Sequence, residues 1–152
     1  MDKLTHTDAE GKARMVDVSS KPPMVRKAKA KGKIKLASQT VELIQQNLIK
    51  KGDVLTTAEI AGIQAAKQTG HLIPLCHPLY LSHIEVITHL TPEGVEVEAT
   101  ATTTGQTGVE MEALTAVSIA LLTVYDMCKA VDKAMVIENI HLIEKTKTKP
   151  EV

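Results

Sequence analysis

From Val25 to Leu36 the chain alternates almost without fault. Ala28, Ala30, Gly32, Ile34 and Leu36 fall on one side, and Lys27, Lys29, Lys31, Lys33 and Lys35 on the other. A period of two is that of a strand buried on one face. No acid occurs between Asp17 and Glu42, so this is the one strongly basic stretch. It reads as a solvated lysine face that resists edge-to-edge aggregation, rather than as a phosphate track.

Helical periods follow. Ser38 can cap a short helix with the stripe Val41, Ile44 and Leu48, stopped near Lys50-Lys51-Gly52. Thr56-x-x-Glu59 has the form of a capping box, opening a second helix that runs to about Thr69. Ala58, Ala61, Gly62, Ala65 and Thr69 form its small-residue side, while Lys67 falls between Ile60 and Ile63. Residues 70–79 resist regularity because Pro74 and Pro78 bracket Leu75-Cys76-His77. Two alternating runs, about 80–90 and 94–104, meet at Thr91-Pro92-Glu93-Gly94 as a hairpin. A long helix is predicted from about Val109 to Val131, and a last strand over roughly Met135–Glu144.

The order β-α-α-β-β-α-β predicts an α+β, ferredoxin-like split βαβ fold, with an antiparallel sheet and an extra helix in the first crossover. Residues 1–20 are expected to be a loose arm, 21–146 a single catalytic domain and 147–152 a flexible tail. In the long helix Leu114, Val117, Leu121, Val124, Cys128 and Val131 make a core stripe. Met111, Thr115, Ser118, Ile119, Leu122, Asp126 and Lys129 share the opposite arc. Apolar residues mixed with a carboxylate and an amine suit a contact surface, such as another subunit, better than water.

Composition narrows the class. The length of 152 residues argues for one domain, and 43% hydrophobic with 24% charged residues is ordinary globular composition. Eighteen basic and eighteen acidic residues cancel, which disfavours bulk nucleic-acid binding. Tyr80 and Tyr125 are the only aromatics apart from histidines, so base-stacking platforms are missing and the core is aliphatic. Cys76 and Cys128 form neither a disulfide framework nor a zinc knuckle, and free thiols fit a reducing cytosol. The N-terminus has no signal-peptide run, and no stretch reads as a membrane span. The expected setting is cytoplasmic.

Candidate chemistry comes in four groups. The prolines pin Cys76 and His77 on a stiff loop, where the imidazole can bind an anion or move a proton. Adjacent residues of an extended chain point to different sides, which argues against a Cys–His nucleophilic pair. His71, Cys76, His77, His83 and His89 match no structural zinc spacing, and no metal is expected. Residues 103–108 are either a phosphate-cradling loop or a plain turn, with Thr107-x-x-Glu110 as a second capping box. Asp126 and Lys129 at i,i+3 are either a surface ion pair or a pair put to use. Lys67 either snorkels at a helix end or reaches an anion. These residues alone describe a small domain with cations for a phosphorylated ligand, and no reaction.

Six ordered motifs go further: Met15-Val16-Asp17-Val18-Ser19, Lys51-Gly52-Asp53-Val54, Ile60-Ala61-Gly62-Ile63-Gln64-Ala65-Ala66-Lys67, Leu72-Ile73-Pro74-Leu75-Cys76-His77-Pro78-Leu79, Thr107-Gly108-Val109-Glu110-Met111-Glu112-Ala113-Leu114 and Tyr125-Asp126-Met127-Cys128-Lys129-Ala130-Val131. Together they resemble the cyclic pyranopterin monophosphate synthase family, molybdenum cofactor biosynthesis protein C, from about residue 5 to 143. Glu59 departs from the resemblance, standing where many relatives have Arg.

The resemblance implies a hexamer built as a trimer of dimers, with active sites at subunit interfaces. It implies conversion of 3′,8-cyclo-7,8-dihydro-GTP to cyclic pyranopterin monophosphate with release of pyrophosphate, a lyase reaction. Carried over by motif, Asp126, Lys129 and Lys51 are catalytic. Leu75, Cys76, His77, Glu110, Met111, Glu112 and Lys67 bind substrate, and Arg26 adds to the phosphate site. No cofactor is required, though Mg²⁺ can accompany the triphosphate, and neither nucleic acid nor a membrane is a partner.

Overall fold

The computed structural model describes residues 6–151. Its elements are β1 (Met24–Lys35), α1 (Ser38–Gln45), α2 (Val54–Lys67), α3 (Thr69–Leu72), β2 (His83–Thr91), β3 (Gly94–Gly105), α4 (Glu110–Cys128) and β4 (Val136–Thr148). The strands form one antiparallel sheet in the order β2-β3-β1-β4. This is the expected ferredoxin-like α+β plan, with β1 and β3 central and the helices on one face.

The alternation of β1 sets that face. Ala28, Ala30 and Ile34 are buried under α4, whereas Lys27, Lys31 and Lys35 are exposed on the far side. Cross-strand acids partly neutralise the lysine face, through Lys29–Glu98 at 3.3 Å and Lys33–Glu138 at 3.5 Å. Small residues bring the helices close together. A Cβ on Gly62 would lie 2.9 Å from the Ala116 carbonyl oxygen, so α2 packs on α4 backbone to backbone. Gly94 has φ +151 in the β2–β3 turn, where a side chain would collide with the Ile34 carbonyl.

Several boundaries differ from the sequence expectations. Ser38 does not cap α1: the N-cap is Ala37, which has no side-chain bond. Asn47 turns left-handed at φ +54 and breaks the period, so Leu48 is exposed and Ile49 is buried in its place. The capping box at Thr56 is displaced by Asp53, whose carboxylate accepts from Thr56 N at 3.1 Å. Glu59 is thereby freed to accept from Thr88 Oγ1 at 2.6 Å and Thr88 N at 3.3 Å, tying α2 to the edge strand β2. The short helix α3 forms within the stretch expected to be irregular.

The last strand does not stop at Glu144. Lys147 and Thr148, assigned to a flexible tail, pair with Arg26 and Val25. The N-terminal arm is loose only in part. Gln106 Nε2 donates to Ser19 O at 3.4 Å, and the Val16 carbonyl meets His77; residues 1–5 of the arm lie outside the described residues.

Helix α4 is the central piece. Val117, Leu121, Val124 and Cys128 are fully buried, whereas Val131, expected in the same stripe, lies beyond the helix end and is exposed. On the opposite arc Thr115 is buried and Ile119 half-buried, leaving Met111 and Leu122 outward. With 19 residues and a mean hydropathy of 1.4, α4 is long and apolar enough to cross a membrane, contrary to the sequence expectation. Half of it is buried inside the domain instead.

Candidate active site

The substrate-binding candidates meet at one end of α4. A cavity of about 360 Å³ is lined by Leu75, Cys76 and His77 from the proline-braced loop, by Glu110, Met111 and Glu112 from the first turn of α4, and by Val16, Lys21 and Thr107. His77 Nε2 lies 2.6 Å from the Val16 carbonyl, which can only accept, so Nε2 carries a proton. Asp17 stands nearby. Its carboxyl is held below the usual range by the Ser19 hydroxyl and amide, with a smaller contribution from His77.

The acids on this rim behave differently. Glu112 is 4% exposed, and its carboxyl is pushed up by burial and then by the charge of Glu110. Glu110 does not close a capping box. Valine 109 occupies the cap position, with no side-chain bond. The Glu110 carboxylate folds back over Gly108, where a Cβ would collide with it, and pairs with Lys145 at 3.1 Å. Cys76 is pushed up by burial and then by Glu112 and Glu110, which keeps it a thiol and not a nucleophile.

Raising the Glu112 pKa has a stability consequence. The folded protein binds this proton more tightly than the unfolded chain does. Its contribution is therefore full below the ordinary glutamate value of 4.5 and is lost as pH rises through the folded-state value. Glu112→Gln should raise Tm at neutral pH and flatten its decline above pH 4.5, as thermal melts across pH will show. A neutral-pH Tm below that of the wild type would contradict this account of Glu112.

Arg26 borders the same end. Its Nε donates to Gly105 O at 3.1 Å and one Nη to Gln106 O at 3.3 Å. The loop 103–108 thus turns carbonyls toward a guanidinium, and the rest of that fork is left to meet an anion. Lys67, exposed at the end of α2, lines an adjoining cavity of about 420 Å³ with Tyr80, Ser82 and His83. No ion pair engages it among the described residues.

The catalytic candidates gather at the other end. Lys51, in the turn before α2, donates to Asp126 Oδ2 at 3.0 Å and to the Asp126 carbonyl at 3.1 Å. Lys129 reaches Asp126 Oδ1 at 2.9 Å. Hydrogen bonds from Lys129 and then Lys51 hold the Asp126 carboxyl below its usual range, and Asp126 in return raises Lys129. Lys129 is therefore held as an ammonium against the Asp126 carboxylate. Within one chain the three side chains are about half exposed, so the ion pair sits at the surface.

One chain does not join its two clusters. Asp126 is fifteen residues beyond Met111 on α4, which is about 22 Å at 1.5 Å per residue. Among the described residues, no three His, Cys, Asp or Glu side chains are grouped to hold a metal. Lys145 and Lys21 at the pocket escaped the sequence reading. The Lys145-Thr146-Lys147-Thr148 alternation was the available signal, since it carries the strand period past Glu144.

Fold and site together define a small ferredoxin-like α+β domain with an acid-lined pocket and a separate Lys–Asp–Lys cluster. The chain belongs to the MoaC family, which residues 15–148 match. It is 55% identical over 145 residues to the cyclic pyranopterin monophosphate synthase of Desulfitobacterium hafniense, covering 95% of this chain and 89% of that protein. The protein of the same name from Novosphingobium aromaticivorans is 58% identical over 95% of this chain and 92% of its own length. Cyclic pyranopterin monophosphate synthase 1 of Mycobacterium bovis is 58% identical over 94% of this chain and 85% of its own.

Proposed function

We propose that the chain is itself a cyclic pyranopterin monophosphate synthase, a phosphorus–oxygen lyase that converts 3′,8-cyclo-7,8-dihydro-GTP to cyclic pyranopterin monophosphate. The reading rests on near-full-length similarity to proteins of that name, whose motif residues fall here into one pocket and one Lys–Asp–Lys cluster. Leu75, Cys76, Met111 and Glu112 contact the ring system, and His77, Glu110, Lys67, Arg26 and Lys145 serve the polar and phosphate end. A triphosphate carries about four negative charges near neutral pH, so several cations must converge on it. In the closing step a sugar hydroxyl loses its proton to solvent water and its oxygen bonds to the α-phosphorus, while the bond from that phosphorus to the bridging oxygen breaks and pyrophosphate leaves with the electron pair. Lys129 supplies a proton and Lys51 offsets charge during this step.

Because the clusters are about 22 Å apart along α4, the complete site joins the pocket of one subunit to the Lys51–Asp126–Lys129 cluster of another. A hexamer made of three such dimers, working in the cytosol, fits this reading. Mg²⁺ enters with the triphosphate as part of the substrate. Incubation with the cyclised GTP derivative should release pyrophosphate, and ligand bound but recovered unchanged would identify a sensor instead. Full activity in excess chelator would dismiss a metal-dependent hydrolase.

Lys67→Ala separates two roles. A lysine that only snorkels changes stability by less than about 1 kcal/mol and leaves affinity intact. The open cavity beside Lys67 favours the anion role. The expected result is a raised KM with Tm unchanged, and an unaltered KM would return Lys67 to the surface.

A further inference from the structure

We propose that Asp132 is a positioning residue for the Lys51–Asp126–Lys129 cluster, tying the start of α1 to the segment that follows α4. This rests on the proposed reaction only for its kinetic readout.

Asp132 is 5% exposed yet carries a full carboxylate, and no motif singled it out. Its Oδ2 accepts from Ala37 N at 2.8 Å and from Thr40 Oγ1 at 2.9 Å, and its Oδ1 accepts from Ala134 N at 3.1 Å. Burial alone would push its pKa up, but these hydrogen bonds outweigh it and hold the carboxyl low. Helix α1 needs this partner. Its N-cap is Ala37, it has no side-chain cap and no acid in its first turn, and the Asp132 carboxylate instead fixes its start through the Ala37 amide and the Thr40 hydroxyl. Thr40, 1% exposed, places its hydroxyl on the same oxygen.

The consequence lies at the other end of α1. Eight residues of helix lead into a tight turn, where Leu48 N donates to Leu43 O at 2.8 Å and Gly52 N to Ile49 O at 3.0 Å. Ile49 is buried, so the turn moves with α1. That turn carries Lys51. Asp132 itself follows the last turn of α4, and its amide donates to Cys128 O at 3.0 Å. One carboxylate therefore links the segment bearing Asp126 and Lys129 to the segment bearing Lys51. The substrate-loop end is about 22 Å away along α4 and lies outside this linkage. A carboxylate that sets only the Lys–Asp–Lys geometry should affect turnover and not binding, because small misplacements of reacting groups are costly.

The test compares Asp132→Ala, Thr40→Val and Thr40→Ser with wild type, by pyrophosphate-release kinetics and by ¹⁵N NMR of the lysine ammonium groups. The expected result for Asp132→Ala is a kcat lower by about tenfold or more with KM within about twofold. The Lys51 and Lys129 ammonium signals should broaden as Asp126 holds them less firmly. Thr40→Val should move both readouts the same way, and Thr40→Ser, which keeps the hydroxyl, should restore them. If Asp132→Ala does not fold, Thr40→Val alone carries the test, since it removes one bond and no charge. A lowered Tm with kcat and the ammonium signals unchanged would make Asp132 a cap of the fold only and overturn the proposal. Wild-type protein that releases no pyrophosphate would overturn the reaction instead, and the NMR comparison would still decide the role of Asp132.

Discussion

Asp126→Asn and Lys129→Ala each lower turnover by at least about 100-fold, the scale of a lost acid or base group. The carboxylate receives Lys51 at 3.0 Å and Lys129 at 2.9 Å, so removing its charge releases two ammonium groups at once. Lys129→Ala removes the proton donor and leaves Lys51 in place, which separates the roles of the two lysines. Stability should hold in both variants, because the pairs are solvent-exposed and such pairs stabilise little. The measurement is single-turnover pyrophosphate release beside a thermal melt. Near-normal kcat in a folded variant would remove Asp126 and Lys129 from the chemistry.

Leu122→Glu abolishes assembly and activity together. Leu122 is 53% exposed in the middle of α4, with Tyr125 and Met111 on the same outward side, while Leu121 beside it is fully buried. A charge at the centre of an apolar contact costs about 2 kcal/mol or more, which weakens association at least about 30-fold. Helical circular dichroism should persist, since the subunit core is untouched. Sedimentation beside the activity assay checks it. A monomer with wild-type turnover would show that one chain completes the site and that the outward face of α4 has another use.

Much of this was legible along the chain because it depends on local period and turn chemistry. Lysine on every second residue of β1 put the alanines and Ile34 inward. The three-and-four spacing on α4 placed Leu121 inward and Leu122, Asp126 and Lys129 outward, since residues three or four apart share a helix face. Pro74 and Pro78 marked the loop that does line the pocket. Where the reading failed, a competing partner or backbone turn had won, nearby in sequence or on another element. Thr56 lost the cap to Asp53, Glu59 turned to Thr88 on another element, and Leu48 yielded its buried place to Ile49 once Asn47 adopted positive φ.

The sequence by itself determined the order and faces of the elements, the aliphatic core and, through six motifs, the family, because these depend on spacings of a few residues. Only the tertiary structure decided which groups meet. Lys51 reaches Asp126 across 75 positions, Lys145 pairs with Glu110, and Asp132 holds the Ala37 amide at the start of α1, 95 positions away. It also decided that the pocket and the Lys–Asp–Lys cluster stand at opposite ends of α4. The physical reason is that hydrogen bonds and ion pairs act over about 3 Å of space, whatever the separation along the chain, and only the packing of α1, α2 and α4 on the sheet brings such atoms within that reach.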